Sequence, residues 1–256
     1  MLKVHAVPAF EDNYIWLLQS ENSHRVLIVD PGDARPVLQH LRQLDLIPAA
    51  ILITHHHADH VGGVRELLEH YPVPVFGPAG ETIPALTEPL IETDALRVDP
   101  DFPLFRVFDT PGHTPGHICY LVENKLFCGD TLFAGGCGRL LGGSAPELFR
   151  SLQQLKQLPG DTEIYCAHEY TQANLRFAEA VEADSHALQQ RISQVRRLRD
   201  AGKATVPSLM REELATNPFL RSDLPQVKKA AEAYSGRPLA DAEAVFTTLR
   251  SWKDTF

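Results

Sequence analysis

The chain has 256 residues, 44% hydrophobic and 22% charged, with Lys+Arg 24 against Asp+Glu 33 and a formal net charge of -9. That length allows one large domain or two unequal ones, and the composition excludes a disordered chain. The negative balance argues against nucleic-acid binding, which wants a positive field. Four cysteines (Cys119, Cys128, Cys137, Cys166) form no Cys-x-x-Cys pair; they are too few for a disulfide scaffold and fit a reducing, cytoplasmic setting as buried small residues.

The opening MLKVHAVPAFEDNYIWLL lacks the basic start, continuous apolar core and cleavage site of a secretory signal, and no later run reaches the ~18 apolar residues of a membrane span. Runs rich in Val, Ile, Leu and aromatics predict strands at Asn13–Leu18, Arg25–Val29 and Ala50–Thr54, with helices at Ala34–Leu44, after the turn DPGD, and His60–His70. Strands follow at Leu104–Phe108, His117–Val122 and Lys125–Cys128, the last two joined by a hairpin turn at Glu123-Asn124. AGGCGRLLGG (134–143) reads as a loop, Pro146–Leu158 as a helix and Thr162–Cys166 as a strand. Alternating strands and helices imply a layered α/β core whose sheet is not purely parallel.

Beyond Tyr170 the pattern turns helical: Thr171–Asp200 as one long helix whose imperfect spacing leaves room for a break near Ser185, then Ser208–Ala215, Leu224–Tyr234 and Asp241–Lys253. A cut there leaves 11 basic and 22 acidic residues before it, net -11, and 13 basic and 11 acidic after it, net +2. Eleven of the twelve histidines lie before the cut. The unusual chemistry is concentrated in the acidic part.

The decisive stretch is Thr54-His55-His56-His57-Ala58-Asp59-His60, directly after the apolar run AAILI. Imidazole nitrogens and carboxylate oxygens are good ligands for zinc or iron, and a strand ending in a turn can make them converge. In an extended segment His55 and His57 share a side while His56 points away, and Asp59 and His60 fall on the next turn. His113, Asp130 and His168 follow at the ends of later segments. Seven residues then suffice for two metals: His55, His57 and His113 for one, Asp59, His60 and His168 for the other, with Asp130 between them.

Through THHHADH, Gly112-His113, Gly129-Asp130 and Ala167-His168 the chain resembles the metallo-β-lactamase fold superfamily. Through GDTLFAGGCGR, AHEYT and the helical tail it resembles, within that superfamily, the glyoxalase II (hydroxyacylglutathione hydrolase) family. The resemblance covers essentially the whole chain. It implies a four-layered αββα sandwich with a C-terminal all-helical domain, divided as a catalytic part at 1–170 and a substrate-binding part at 171–256. It also implies two divalent metal ions, zinc before iron or manganese, and hydrolysis of S-D-lactoylglutathione to glutathione and D-lactate, the second step of methylglyoxal detoxification. Hydroxide held between two cations would attack the thioester, with Asp59 orienting it and Asp130 bridging, so no serine or cysteine nucleophile is needed.

The resemblance places substrate contacts at Arg139, Tyr170, Arg250 and Lys253; Arg250 and Lys253 have the i,i+3 spacing that lets them face one way. Where the family often has tyrosine, this chain has Leu141, which removes a hydroxyl donor. Tyr170 has a second, lesser reading as an aromatic anchor of the domain junction, compatible with the first. Asp30 could fix a ligand imidazole or cap its own turn, and His56 and His117 are candidates for support beside the ligands rather than for coordination. The partner expected is a small anionic thioester, with neither nucleic acid nor membrane, and the chain is expected to act as a monomer. A metal-stabilised binding protein without turnover is the alternative from a different functional class.

Overall fold

The computed structural model describes residues 2–21 and 23–256, which divide into two compact units. The first unit comprises Met1–Asp109 and Pro115–Gly129, the second Thr110–Thr114 and Asp130–Phe256.

In the first unit six strands form one sheet in chain order: β1 (Lys3–Ala9), β2 (Asn13–Gln19), β3 (Arg25–Val29), β4 (Ile47–Leu52), β5 (Val75–Pro78) and β6 (Glu88–Leu90). The first three pair antiparallel and the last four parallel. Parallel pairing requires crossovers, which α1 (Ala34–Leu44) and the pair α2 (Ala58–Val61) and α3 (Val64–His70) provide. Asp33 starts α1 by accepting the Arg35 N–H at 3.0 Å, and Val37 and Leu41, one turn apart, bury its inner stripe. Against that stripe pack Val7, Ile15, Leu17, Val26, Ile28, Ile51 and Ile53, every second residue of their strands. The alternate residues of β2 to β4, Trp16, Leu18, Leu27, Val29 and Leu52, are buried as well, so the middle of this sheet is covered on both faces while the edge strand β1 keeps exposed residues. The antiparallel strands β7 (Thr93–Leu96), β8 (Phe105–Asp109), β9 (Ile118–Val122) and β10 (Lys125–Gly129) follow, and Tyr120 on β9 donates to the Ile53 carbonyl at 2.8 Å.

The second unit opens with the hairpin β11 (Leu132–Phe133) and β12 (Gly136–Cys137), then α4 (Ala145–Leu155), capped by Ser144 and Glu147 in a reciprocal box. β13 (Glu163–Cys166) precedes α5 (Thr171–Val181) and α6 (His186–Asp200); β14 (Ser208–Leu209) pairs antiparallel with β13. The chain continues through α7 (Met210–Thr216), a 3₁₀ turn at Pro218–Leu220, α8 (Pro225–Ser235) and α9 (Ala242–Thr255). Phe177, Phe219 and Phe246 are fully buried at its centre, and Phe219 lies within 6 Å of both of the others, with ring centroids 5.8 and 5.7 Å away.

Three expectations need correction. His60–His70 is two helices, because Gly62-Gly63 sits where backbone approaches too closely for side chains: a Cβ on Gly62 would lie 2.7 Å from the Gly32 oxygen. The segment 134–143 is not all loop, since Gly136-Cys137 forms β12 around a Gly135 of φ +72°. Within Ser208–Ala215 the first two residues are strand, so the tail is helical except for β14 and the 3₁₀ turn.

Candidate metal centre and anion pocket

The first unit gathers His55, His57 and His60 where β4 runs into α2. His55 and His60 are buried with ring centroids 4.0 Å apart, and His55 Nε2 lies 3.0 Å from His57 Nδ1. Asp30, just past β3, orients the group. Its carboxylate accepts the Thr54 N–H at 2.8 Å, the Thr54 hydroxyl at 2.7 Å and His60 Nδ1–H at 3.0 Å. A carboxylate can only accept, so His60 donates from Nδ1, and the neutral ring carries its lone pair on the buried Nε2. The Thr54 hydroxyl spends its proton on Asp30 and accepts from His55 Nδ1 at 3.1 Å, which likewise directs His55 Nε2 to His57. Of the two roles open to Asp30, this geometry carries the first. Asp59 Oδ2 lies 3.6 Å from His60 Nε2 and accepts from Asn13 Nδ2 at 3.0 Å.

His56 turns away: its ring Nδ1 and backbone N–H both meet the Glu81 carboxylate, at 2.8 and 2.7 Å, and Glu81 also accepts the Gly116 N–H at 3.1 Å. No sequence signal marked Glu81, which belongs to no motif and comes to the cluster from the segment between β5 and β6. His117 stacks on His55, with centroids 4.8 Å apart.

The second unit gathers His113, Asp130 and His168. The Asp130 oxygens divide between the two histidines: Oδ2 is 3.5 Å from His113 Nε2 and Oδ1 is 3.4 Å from His168 Nε2. The His113 Nδ1–H donates to the Arg139 carbonyl at 2.7 Å, and the Leu141 N–H returns a bond to the His113 carbonyl at 2.8 Å. A carbonyl cannot donate, so again the proton is on Nδ1 and Nε2 is free of it. Tyr170 stacks on His168 at 4.6 Å and meets Phe133 edge-on at 5.3 Å.

These donors fit divalent metal. Imidazole and carboxylate are borderline ligands, and the protons of His55, His60 and His113 are all parked on supporting oxygens, leaving each Nε2 as a lone-pair donor. The seven candidates comprise five histidines and two aspartates, and the described residues carry His/Asp clusters able to hold metal ions.

A second feature of this unit is a cavity of about 350 Å³ lined by Arg139, Ala173, Arg176, Arg250, Lys253 and Phe256. Four of the six are cations. Arg139 is exposed, whereas Arg250 is buried and donates through Nη1 to the Cys137 and Gly138 carbonyls (3.1 and 3.3 Å) and through Nη2 to Asp254 (2.9 Å). Lys253 donates to the Ala173 carbonyl at 3.2 Å. Burial, then the neighbouring Arg250, Arg176 and Arg139, lower the Lys253 pKa to about 8. Leu141 is 52% exposed, so its side chain is open to solvent.

Residues 10–168 match the metallo-beta-lactamase superfamily model, and residues 169–256 match the model described as hydroxyacylglutathione hydrolase C-terminus. The chain is 54% identical over 254 residues to a hydroxyacylglutathione hydrolase of Alkalilimnicola ehrlichii, covering 99% of each chain. The chain belongs to the hydroxyacylglutathione hydrolase family. A second hydroxyacylglutathione hydrolase, from Nitrosomonas europaea, is 50% identical over 257 residues, covering all of this chain and 97% of the relative. Among solved structures, ETHE1 from Myxococcus xanthus superposes with a TM-score of 0.68 at 23% identity over 98% of this chain and 90% of its own, which shows the shared metallo-β-lactamase fold. TTHA1623, solved in a di-iron-bound form, matches with a TM-score of 0.54 and 31% identity over 65% of this chain and 91% of its own. As members of the hydroxyacylglutathione hydrolase family do, the chain pairs that fold with a helical C-terminal region.

Proposed function

We infer that this chain hydrolyses S-(2-hydroxyacyl)glutathione thioesters, chiefly S-D-lactoylglutathione, to glutathione and a 2-hydroxy acid, the second step of methylglyoxal detoxification. The observation that carries the reading is the pairing, in one family member, of two oriented His/Asp sets with a pocket lined by four cations. In this reading the donor sets would hold two divalent ions, zinc first and iron or manganese next: His55, His57 and His113 would hold one and Asp59, His60 and His168 the other, with Asp130 available to both. When bound, such ions supply Lewis acidity and make water nucleophilic near neutral pH.

The chain's own groups then position and hold. Asp130 presents one oxygen to each histidine of its set, Asp59 adds a second carboxylate for orienting water, and Asp30, Thr54 and the Arg139 carbonyl keep three imidazoles in the ligating tautomer. Water gives up one proton as it adds to the thioester carbonyl, the C–S bond breaks, and the departing glutathione thiolate takes up that proton; the new carboxylic acid loses the second proton to solvent. Arg139 and Lys253 counter the substrate's carboxylates, Tyr170 flanks the acyl side from its place on His168, and Arg250 holds the loop that carries Arg139. All of these groups come from one chain, which favours a monomer as the working unit. The four free, buried cysteines favour a reducing cytoplasm, and no helix among the described residues is long and apolar enough to cross a membrane. The family models support a division of labour near Tyr170, with 1–170 catalytic and 171–256 serving substrate binding.

The test is hydrolysis of S-D-lactoylglutathione followed by loss of thioester absorbance, abolished by a chelator and restored by zinc. A folded, metal-replete protein that leaves this substrate intact would overturn the reading.

A further inference from the structure

The cationic pocket contains one cation that no motif singles out. Arg176 lies on α5 one turn beyond Ala173, whose carbonyl holds Lys253, so Lys253 and Arg176 are brought to the same side of that helix. Lys253 is fixed further by the Phe177 ring, 5.3 Å from its Nζ. The other cations are differently placed. Arg250 is buried and committed to Asp254 and to two loop carbonyls, while Arg176 is exposed and, among the described residues, makes no hydrogen bond or ion pair with an acidic side chain. No lining residue is acidic. Gathering Arg139, Arg176 and Lys253 around one cavity costs mutual repulsion, which a bound anion relieves.

We propose that Arg176 is a recognition residue of this pocket, pairing with one terminal carboxylate of the glutathione moiety while Arg139 and Lys253 take the other. The assignment rests on the hydrolase reading above and deepens it: a carrier with two carboxylates has work for more cations than the motif-bearing pair. Arg176 is exposed on a helix surface, so its replacement leaves the fold intact and reports on binding.

The experiment compares wild type, Arg176→Ala, Arg176→Lys and Arg176→Glu on three substrates: S-D-lactoylglutathione, its glycyl monoethyl ester, and the S-lactoyl thioester of N-acetylcysteinylglycine, which lacks the γ-glutamyl carboxylate and whose blocked amine cannot take the acyl group. Arg176→Ala should raise KM for the parent substrate about tenfold with kcat within about twofold. That increase should vanish on whichever shortened substrate lacks the partner carboxylate. Arg176→Lys should retain most of the binding and Arg176→Glu should lose more than alanine. Affinity for S-hexylglutathione, a thioether that cannot be hydrolysed, should fall about tenfold in Arg176→Ala by calorimetry. An unchanged KM and affinity, or the same loss on all three substrates, would overturn the assignment while leaving the hydrolase reading standing. Wild-type protein that binds S-hexylglutathione in an Arg176-dependent way yet turns over no thioester would reject the hydrolase reading and keep the anion site.

Discussion

His113 Nδ1 lies 2.7 Å from the carbonyl oxygen of Arg139, so one hydrogen bond joins a proposed metal ligand to a residue of the cationic pocket. The residue just before Arg139 has no room to spare: a Cβ on Gly138 would stand 2.0 Å from the Asp130 carbonyl oxygen and 3.1 Å from His113 Nδ1. Gly138→Ala must therefore displace both. Since a misplacement of about 1 Å can cost ~100-fold in rate, we expect kcat/KM to fall by at least that factor with reduced metal content. Metal analysis and steady-state kinetics on the purified variant check this, and wild-type values for both would contradict it.

The Asp30 carboxylate accepts three hydrogen bonds from Thr54 and His60. An amide in its place offers one accepting oxygen instead of two. Asp30→Asn should weaken metal binding by about 10- to 100-fold, as loss of ligand-supporting groups does. Competition with a chromophoric chelator measures it.

Removing metal should lower thermal stability as well as activity. An ion that binds only the folded chain stabilises it by about 4 kcal/mol at a thousandfold excess over Kd. Calorimetric melting with and without chelator should show the shift, reversed by adding zinc. A melting temperature indifferent to metal would argue against a built site.

Lys253 gives the pH dependence a sign. Its pKa is lowered to about 8, chiefly by burial, so it is cationic below that pH and neutral above it, while burial pushes the Cys137 thiol up. KM for a glutathione thioester should rise as pH passes about 8, and binding near that pH should take up protons because the anion stabilises the charged lysine. Lys253→Met should flatten the KM profile between pH 7 and 9; a profile that keeps its shape would assign the change elsewhere.

The buried Glu213 accepts from Arg191, from the Gly135 N–H at 2.8 Å and from Asn217 Nδ2 at 3.1 Å. Glu213→Ala leaves a buried guanidinium uncompensated, a loss of about 3–5 kcal/mol. Urea unfolding at constant m should report it as a lower midpoint.

Where periodicity was strong, local sequence carried the fold: Arg25–Val29 and Ala34–Leu44 have the predicted bounds, whereas Thr171–Asp200, with imperfect spacing, is two helices, the second capped by Ser185. β1 went unread because Pro8 and its exposed residues hide a strand whose seven pairs with β2 supply the register. The metal candidates were legible because their residue types are rare at such spacing. Glu81 and Arg176 were not, since an acid in a loop and an arginine on a helix look ordinary until folding shows what stands beside them.

Arg250 reaches from the last helix to hold the Cys137 and Gly138 carbonyls from beneath. The tail is thus a prop for the loop as well as a wall of the pocket. Exchanging tails between relatives to transplant specificity would also exchange that prop, so a chimera should be judged first on whether its metal ligands keep their places and only then on which thioesters it accepts.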